Sequence, residues 1–279
     1  MEFAKVGTRS LIALGLGAVL AIALPIALAL IWKFRKKERF TTILAGAATF
    51  LIFALILEKP IQNALLFPTQ MGLPEHPLSL FLNARPVLLA LAAGLFPGVF
   101  EETGRLVAYK TVLRNRKNRE TSISHGIGHG GFEVMYILGA TYITYLAYAV
   151  MINTGAYGAL VDQAAALAPA QADALITLAD QLAKLTLADV GLGLMERVFA
   201  VLFHVGASIL VFYACRDQKR FWLYPLAVLI HTVMDFIAAL YTLGVSVMST
   251  WTLEGIIAAF GVLTFCGAYF LLYKKDRER

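Results

Sequence analysis

Eight ionisable residues occupy positions where an apolar chain has least reason to keep them. The stretch FEETGR at 100–105 supplies Glu101, Glu102 and Arg105, and GIGHGGFE at 126–133 supplies His129 and Glu133. VLFHVGAS carries His204, and HTVMD carries His231 and Asp235. Carboxylates and imidazoles are the groups that exchange protons with a substrate, hold a water molecule or ligate a transition metal. Three pairs are spaced i,i+4: Glu101 with Arg105, His129 with Glu133, and His231 with Asp235. Residues at that spacing share a helix face, where a carboxylate can fix the tautomer and orientation of its imidazole. Arg105 neutralises one glutamate and leaves the second adjacent carboxylate to be explained.

The elements that must hold these groups are membrane spans. Hydrophobic residues make up 59% of the chain and charged ones 15%, and the mean hydropathy is +0.72. A soluble domain carries about 25% charged residues, so that class is excluded. The two cysteines, Cys215 and Cys266, fall in or beside apolar stretches and give neither a disulfide framework nor a thiolate metal site. Segments at 10–32, 40–57, 86–113, 123–152, 189–215, 221–243 and 250–273 are apolar enough to cross a bilayer, which needs about 20 residues each. The first reads as a retained span rather than a cleaved signal, and the second is the shortest. The expected fold is all-α: a polytopic bundle of seven transmembrane helices forming one integral membrane domain over 1–279, with a catalytic core at 86–243.

Cations set the expected orientation. Lys33, Arg35, Lys36, Lys37 and Arg39 follow span one, and Lys110, Arg114, Arg116, Lys117 and Arg119 follow span three. Arg216, Lys219 and Arg220 follow span five, and Lys274, Lys275, Arg277 and Arg279 close the chain. The positive-inside rule then puts the N-terminus outside and the C-terminus in the cytoplasm of a prokaryotic plasma membrane. The net charge of +6 is topological, with anionic lipid headgroups as neighbours and no nucleic acid partner. Two outer connections are long. Residues 58–84, with four prolines, read as an irregular loop or an interfacial segment. Residues 155–188 read as an amphipathic surface helix, with Leu175, Leu178, Leu182 and Leu185 at helical spacing.

Depth unites the polar residues. At about 1.5 Å rise per residue, most of them lie roughly 15–20 Å from the cytoplasmic end of their helix, near the middle of a ~30 Å core. Intramembrane ionisable groups face a bundle interior and mark function by default. Gly94 with Gly98, and Gly126 with Gly130, form GxxxG steps that let backbones approach closely. Pro97 lacks the amide that would bond the Ala93 carbonyl, which predicts a bend or a free acceptor beside the glutamates.

The ordered set FEETGR, GIGHGGFE, the His204 span and HTVMD resembles the YhfC family of intramembrane proteases, over about residues 86–240. That family is similar to the PrsW-type and CAAX-protease/bacteriocin-processing membrane peptidases. The resemblance implies a glutamate-dependent peptidase acting on a membrane protein or peptide. Glu101 would activate water, Glu102 and Arg105 would support it, and His231 with Asp235 would steady the oxyanion. The chain departs from the CAAX pattern: Arg105 is one residue closer to the glutamates, and Ala200 stands four before His204 where a phenylalanine is usual. No prenylated substrate is therefore implied.

The residues themselves leave three classes open. Peptide hydrolysis needs a base, oxyanion donors and an acid for the leaving amine, all of which this set contains. Catalysis without a cofactor is the expectation, with zinc on His129, His204 and His231 as the alternative, since no HExxH occurs. A proton-coupled transporter would use the same groups as a relay, but no repeated halves are evident. A ligand-binding receptor is the remaining class.

Overall fold

The computed structural model describes residues 2–167 and 169–277, and no strand occurs among them. In hydrocarbon each backbone amide and carbonyl must be paired within the protein, and long apolar helices achieve this. Among the described residues, seven helices have the length and hydropathy to span: Thr8–Lys36, Phe40–Leu66, Pro86–Lys110, Glu120–Thr154, Leu187–Arg216, Gln218–Thr242 and Thr250–Tyr273. The chain is an integral membrane protein of the expected all-α class. They are called spans one to seven below.

Span two corrects one expected boundary. It continues to Leu66, so residues 58–66 belong to a helix and not to the loop. The apolar pattern breaks at Glu58, Lys59 and Pro60, but the backbone does not. Phe50–Glu58 is a π-helical stretch, and the Lys59 amide closes it onto the Ala54 carbonyl. Pro60 then falls in the first turn of the α-helical segment that follows, where a missing amide costs least. Beyond it, His76 caps the short helix Pro77–Asn83 in a reciprocal capping box with Ser79, a structural use of that histidine.

The chain forms two compact units. One comprises residues 1–26 and 134–197. Its core gathers Leu14, Tyr142, Tyr157, Ala179 and Leu182. The segment expected as a single amphipathic helix is two, Tyr157–Leu167 and Pro169–Lys184. Leu175, Leu178 and Leu185 pack against this core beside buried Leu182. Glu196 and Arg197 pair with each other in this unit.

The other unit comprises residues 27–133 and 198–279. Its core is built on Ile123, Ile127, Val205, Ile209, Phe212 and Leu223. Residues 203–214 of span five are buried without interruption, so this stretch forms the unit's central post. Both GxxxG steps lie at close backbone crossings. A Cβ on Gly126 would fall 2.6 Å from Val205 Cα, and one on Gly98 would fall 2.9 Å from the Val228 carbonyl oxygen. Spans four and five, and spans three and six, therefore touch at the level of the polar residues.

Candidate active site

All eight sequence-derived residues fall in the second unit, and spans three to six carry them. Seven are buried; Asp235 is the exception, with 30% of its side chain exposed. Arg105 is fully buried and anchors the cluster. Its Nε lies 3.3 Å from Glu102 Oε2 and its Nη2 lies 3.7 Å from Glu101 Oε2. The same Nη2 contacts His204 Nδ1. A guanidinium has donors only, so His204 Nδ1 accepts and the ring's proton sits on Nε2. That nitrogen contacts Glu133.

The histidines take partners across helices rather than along them. His129 Nε2 bonds Glu101 Oε2 at 2.8 Å, so its expected partner, Glu133, serves His204 instead. Residues four apart share a face, but the neighbouring helix decides which partner is nearer. His231 lies between two carboxylates. Its Nδ1 is 2.8 Å from Glu102 Oε1, and its Nε2 is 3.5 Å from Asp235 Oδ2, the expected i,i+4 partner. Phe203 and Phe50 pack edge-on against His231 and His129 and fix the ring planes.

Pro97 has the effect its chemistry predicts. The Ala93 carbonyl that lacks a helical donor accepts from Gln62 Nε2 at 2.9 Å, which ties span two to span three beside the glutamates. A crevice of about 640 Å³ elsewhere in this unit, lined by Trp32, Ile127, Val205 and Tyr269 among others, contains none of the eight residues.

Two ionisable residues escaped the sequence reading. His125 is buried, but Thr49 and Ser208 hydroxyls meet its two ring nitrogens at 3.2 Å each, which makes it a structural crosslink. Its signal was the i−4 spacing to His129. Glu58 is 1% exposed, and neither carboxylate oxygen has a hydrogen-bond partner. Its signal was the unusual acid at the end of an apolar run, hidden by Lys59 and Pro60.

One ligand atom each from Glu101, His129 and His204 lies within 4.8 Å of the other two. The donor set of one carboxylate and two imidazoles suits zinc. His129 Nδ1 is also buried without a hydrogen-bond partner, so one nitrogen of that ring is open to a ligand. These residues fit a metal. His231, named on sequence as a third histidine ligand, lies outside this group; Glu101 completes it.

A seven-span helical protein that encloses acids, imidazoles and an arginine has the makings of an intramembrane hydrolase. The chain belongs to the YhfC intramembrane metalloprotease family, whose sequence model matches residues 20–257 and so covers every residue named in the cluster. It is 27% identical over 242 residues to the "Uncharacterized membrane protein YhfC" of Bacillus subtilis (strain 168), a match spanning 86% of this chain and 88% of that protein. No solved structure matches the chain significantly. By family the protein is an intramembrane protease, and the expectation of cofactor-free catalysis is not supported: a metalloprotease family and a buried Glu/His/His group both point to a metal.

Proposed function

We propose that the protein is a metal-dependent endopeptidase that hydrolyses a peptide bond of a membrane-embedded protein or peptide, with zinc held by Glu101, His129 and His204. The convergence of three ligand atoms from spans three, four and five within 4.8 Å carries this reading. Held by these three residues, a zinc ion would supply a Lewis acid for the scissile carbonyl and for water.

The chain's own groups do the rest. Arg105 shares itself between both glutamates, and Glu133 holds the far nitrogen of His204, so the Glu101 carboxylate and the His204 ring are oriented from behind. His204 Nδ1 is the nitrogen 4.0 Å from Glu101. To serve a metal it must be released by Arg105 Nη2, while Nε stays with Glu102. Glu102 Oε1 lies 2.8 Å from His231 Nδ1 and accepts from it in the tautomer that leaves a lone pair on Nε2. A carboxylate–imidazole pair so arranged takes a proton from water at Nε2 and then donates from the same atom. Its distance of 3.5 Å from Asp235 is long enough for Nε2 to turn toward a substrate.

The test is metal analysis of the purified protein with cleavage of a quenched-fluorescent single-span peptide in proteoliposomes. One metal per chain is expected, with cleavage lost in chelator and restored by zinc. Glu101→Gln and His204→Ala should lose both metal and cleavage while remaining folded in the membrane. Full activity in chelator would overturn the metal and return Glu101 to the role of base. Full activity of Glu101→Gln would sink both.

A further inference from the structure

Glu58 is a buried acid without a task. No hydroxyl, amide or amine donates to either oxygen of its carboxylate. The nearest cation, Lys59 Nζ, is 3.8 Å away, half exposed, and hydrogen-bonded to Gln62. Burying a carboxyl group with no hydrogen-bond donor is unfavourable, so its retention calls for a reason beyond stability. It also closes the π-helical stretch Phe50–Glu58, and π turns recur at functional sites.

Packing fixes where this acid lies. Spans two and three run side by side in opposite directions along the chain. Gln62 meets the Ala93 carbonyl, and nine residues earlier Phe53 meets Gly104, where a Cβ would fall 2.6 Å from its ring. Between those two contacts, Glu58 comes level with Gly98. Gly98 in turn packs on Val228 and Thr232, which puts His231 at the same level; six residues of helix set this contact about 120° around span three from the Phe53 contact, on a neighbouring face. Glu101 is three residues further, about 4.5 Å along the helix. Glu58 is therefore a buried acid at the level of the cluster, on a helix outside spans three to six.

We propose that Glu58 is the acid that protonates the leaving amine. This rests on the peptidase reading above. Water adds its oxygen to the carbonyl carbon and gives one proton to His231 Nε2. The C–N bond breaks, and the nitrogen takes the Glu58 carboxyl proton, which yields a carboxylic acid and an amine. Transfer of the proton from His231 to Glu58 resets the site with no other reagent.

Two probes with the same acyl segment separate this role from a structural one. One is the quenched single-span peptide; the other ends that segment in a p-nitrophenyl ester, whose leaving group needs no proton. Glu58→Gln should cut amide cleavage by about 100-fold or more, the usual contribution of a general acid. Ester hydrolysis should stay within about threefold of the parent, with metal content unchanged. Lys59→Ala, which removes only the cation, should keep the parental amide-to-ester ratio. Equal losses on both probes, an unaffected amide rate or loss of metal would each overturn the proposal. Should Glu58→Gln fail to fold, Glu58→Asp keeps the proton and misplaces it, and must likewise depress the amide rate selectively. A parent that cleaves neither probe would instead fail the peptidase reading itself.

Discussion

Replacing Gly126 by alanine tests whether the site depends on backbone contact between spans four and five. The new Cβ would lie 2.6 Å from Val205 Cα and 3.0 Å from the His204 carbonyl oxygen. Both are backbone atoms, so no rotamer change can relieve the clash. Ordinary contact begins at about 3.4 Å, so the helices must part by about 0.8 Å. Gly126 is one turn before His129, and its opposing residue adjoins His204, so the separation acts on the His129–His204 distance. Their ring centroids are now 4.9 Å apart. Metal–ligand distances tolerate about 0.2 Å, well below that displacement. We expect metal affinity to fall about 10- to 100-fold and cleavage about 100-fold. Overpacking should also cost about 1–3 kcal/mol of stability. The assay is zinc titration of the apo-protein with a competing chelator, alongside peptide cleavage and thermal unfolding. Gly267→Ala is the control: nothing lies within 4 Å of its added Cβ, so it should leave affinity and activity unchanged. Parental zinc affinity and cleavage in Gly126→Ala would refute the argument that this crossing sets the ligand geometry.

Two further outcomes follow from individual contacts. Gln62→Leu strands the Ala93 carbonyl and should cost about 1–3 kcal/mol, but far less when Pro97→Ala restores the helical amide; thermal unfolding of the four proteins in this cycle measures the coupling. Beyond span seven, burial opposes ionisation of Asp276, but hydrogen bonds from Tyr213 and Arg216 outweigh it and hold the carboxyl below its ordinary 3.8. A depressed folded value means the stabilisation is present above the unfolded pKa and lost as pH falls through the folded one. The gap in melting temperature between parent and Asp276→Asn should therefore be constant from neutral pH down to about 5 and close below about 3.

Hydropathy made the spans legible because a bilayer admits so few backbone solutions, and depth along each span already gathered the eight residues. What the sequence could not carry was choice among neighbours. His129 and Glu133 share a face, yet Glu101 reaches His129 first, and that preference depends on how spans three and four cross. The free carbonyl of Ala93 follows from Pro97 alone, whereas its donor, Gln62, lies 31 residues away in sequence. Glu58 was lost for a local reason: Lys59 and Pro60 mimic the end of a span, although the helix continues to Leu66. Metal dependence was beyond reach because ligand types suit a zinc site and a protein-only acid–base site alike.

The balance of charge favours the cation reading from a separate direction. Five carboxylates, Glu58, Glu101, Glu102, Glu133 and Asp235, belong to one unit, while Arg105 is the only buried arginine among its described residues. Two like charges about 4 Å apart cost on the order of 4 kcal/mol at an effective dielectric of 20. Arg105 is closest to Glu102 and farther from Glu101, so the ligand glutamate is the one left under-compensated. A divalent ion at Glu101, His129 and His204 would offset two charges where the deficit is greatest. It would leave Glu102 to its arginine and Glu58 to carry a proton. On this account the first glutamate of FEETGR would hold the cation and the second would orient His231, with Arg105 deciding which carboxylate remains available.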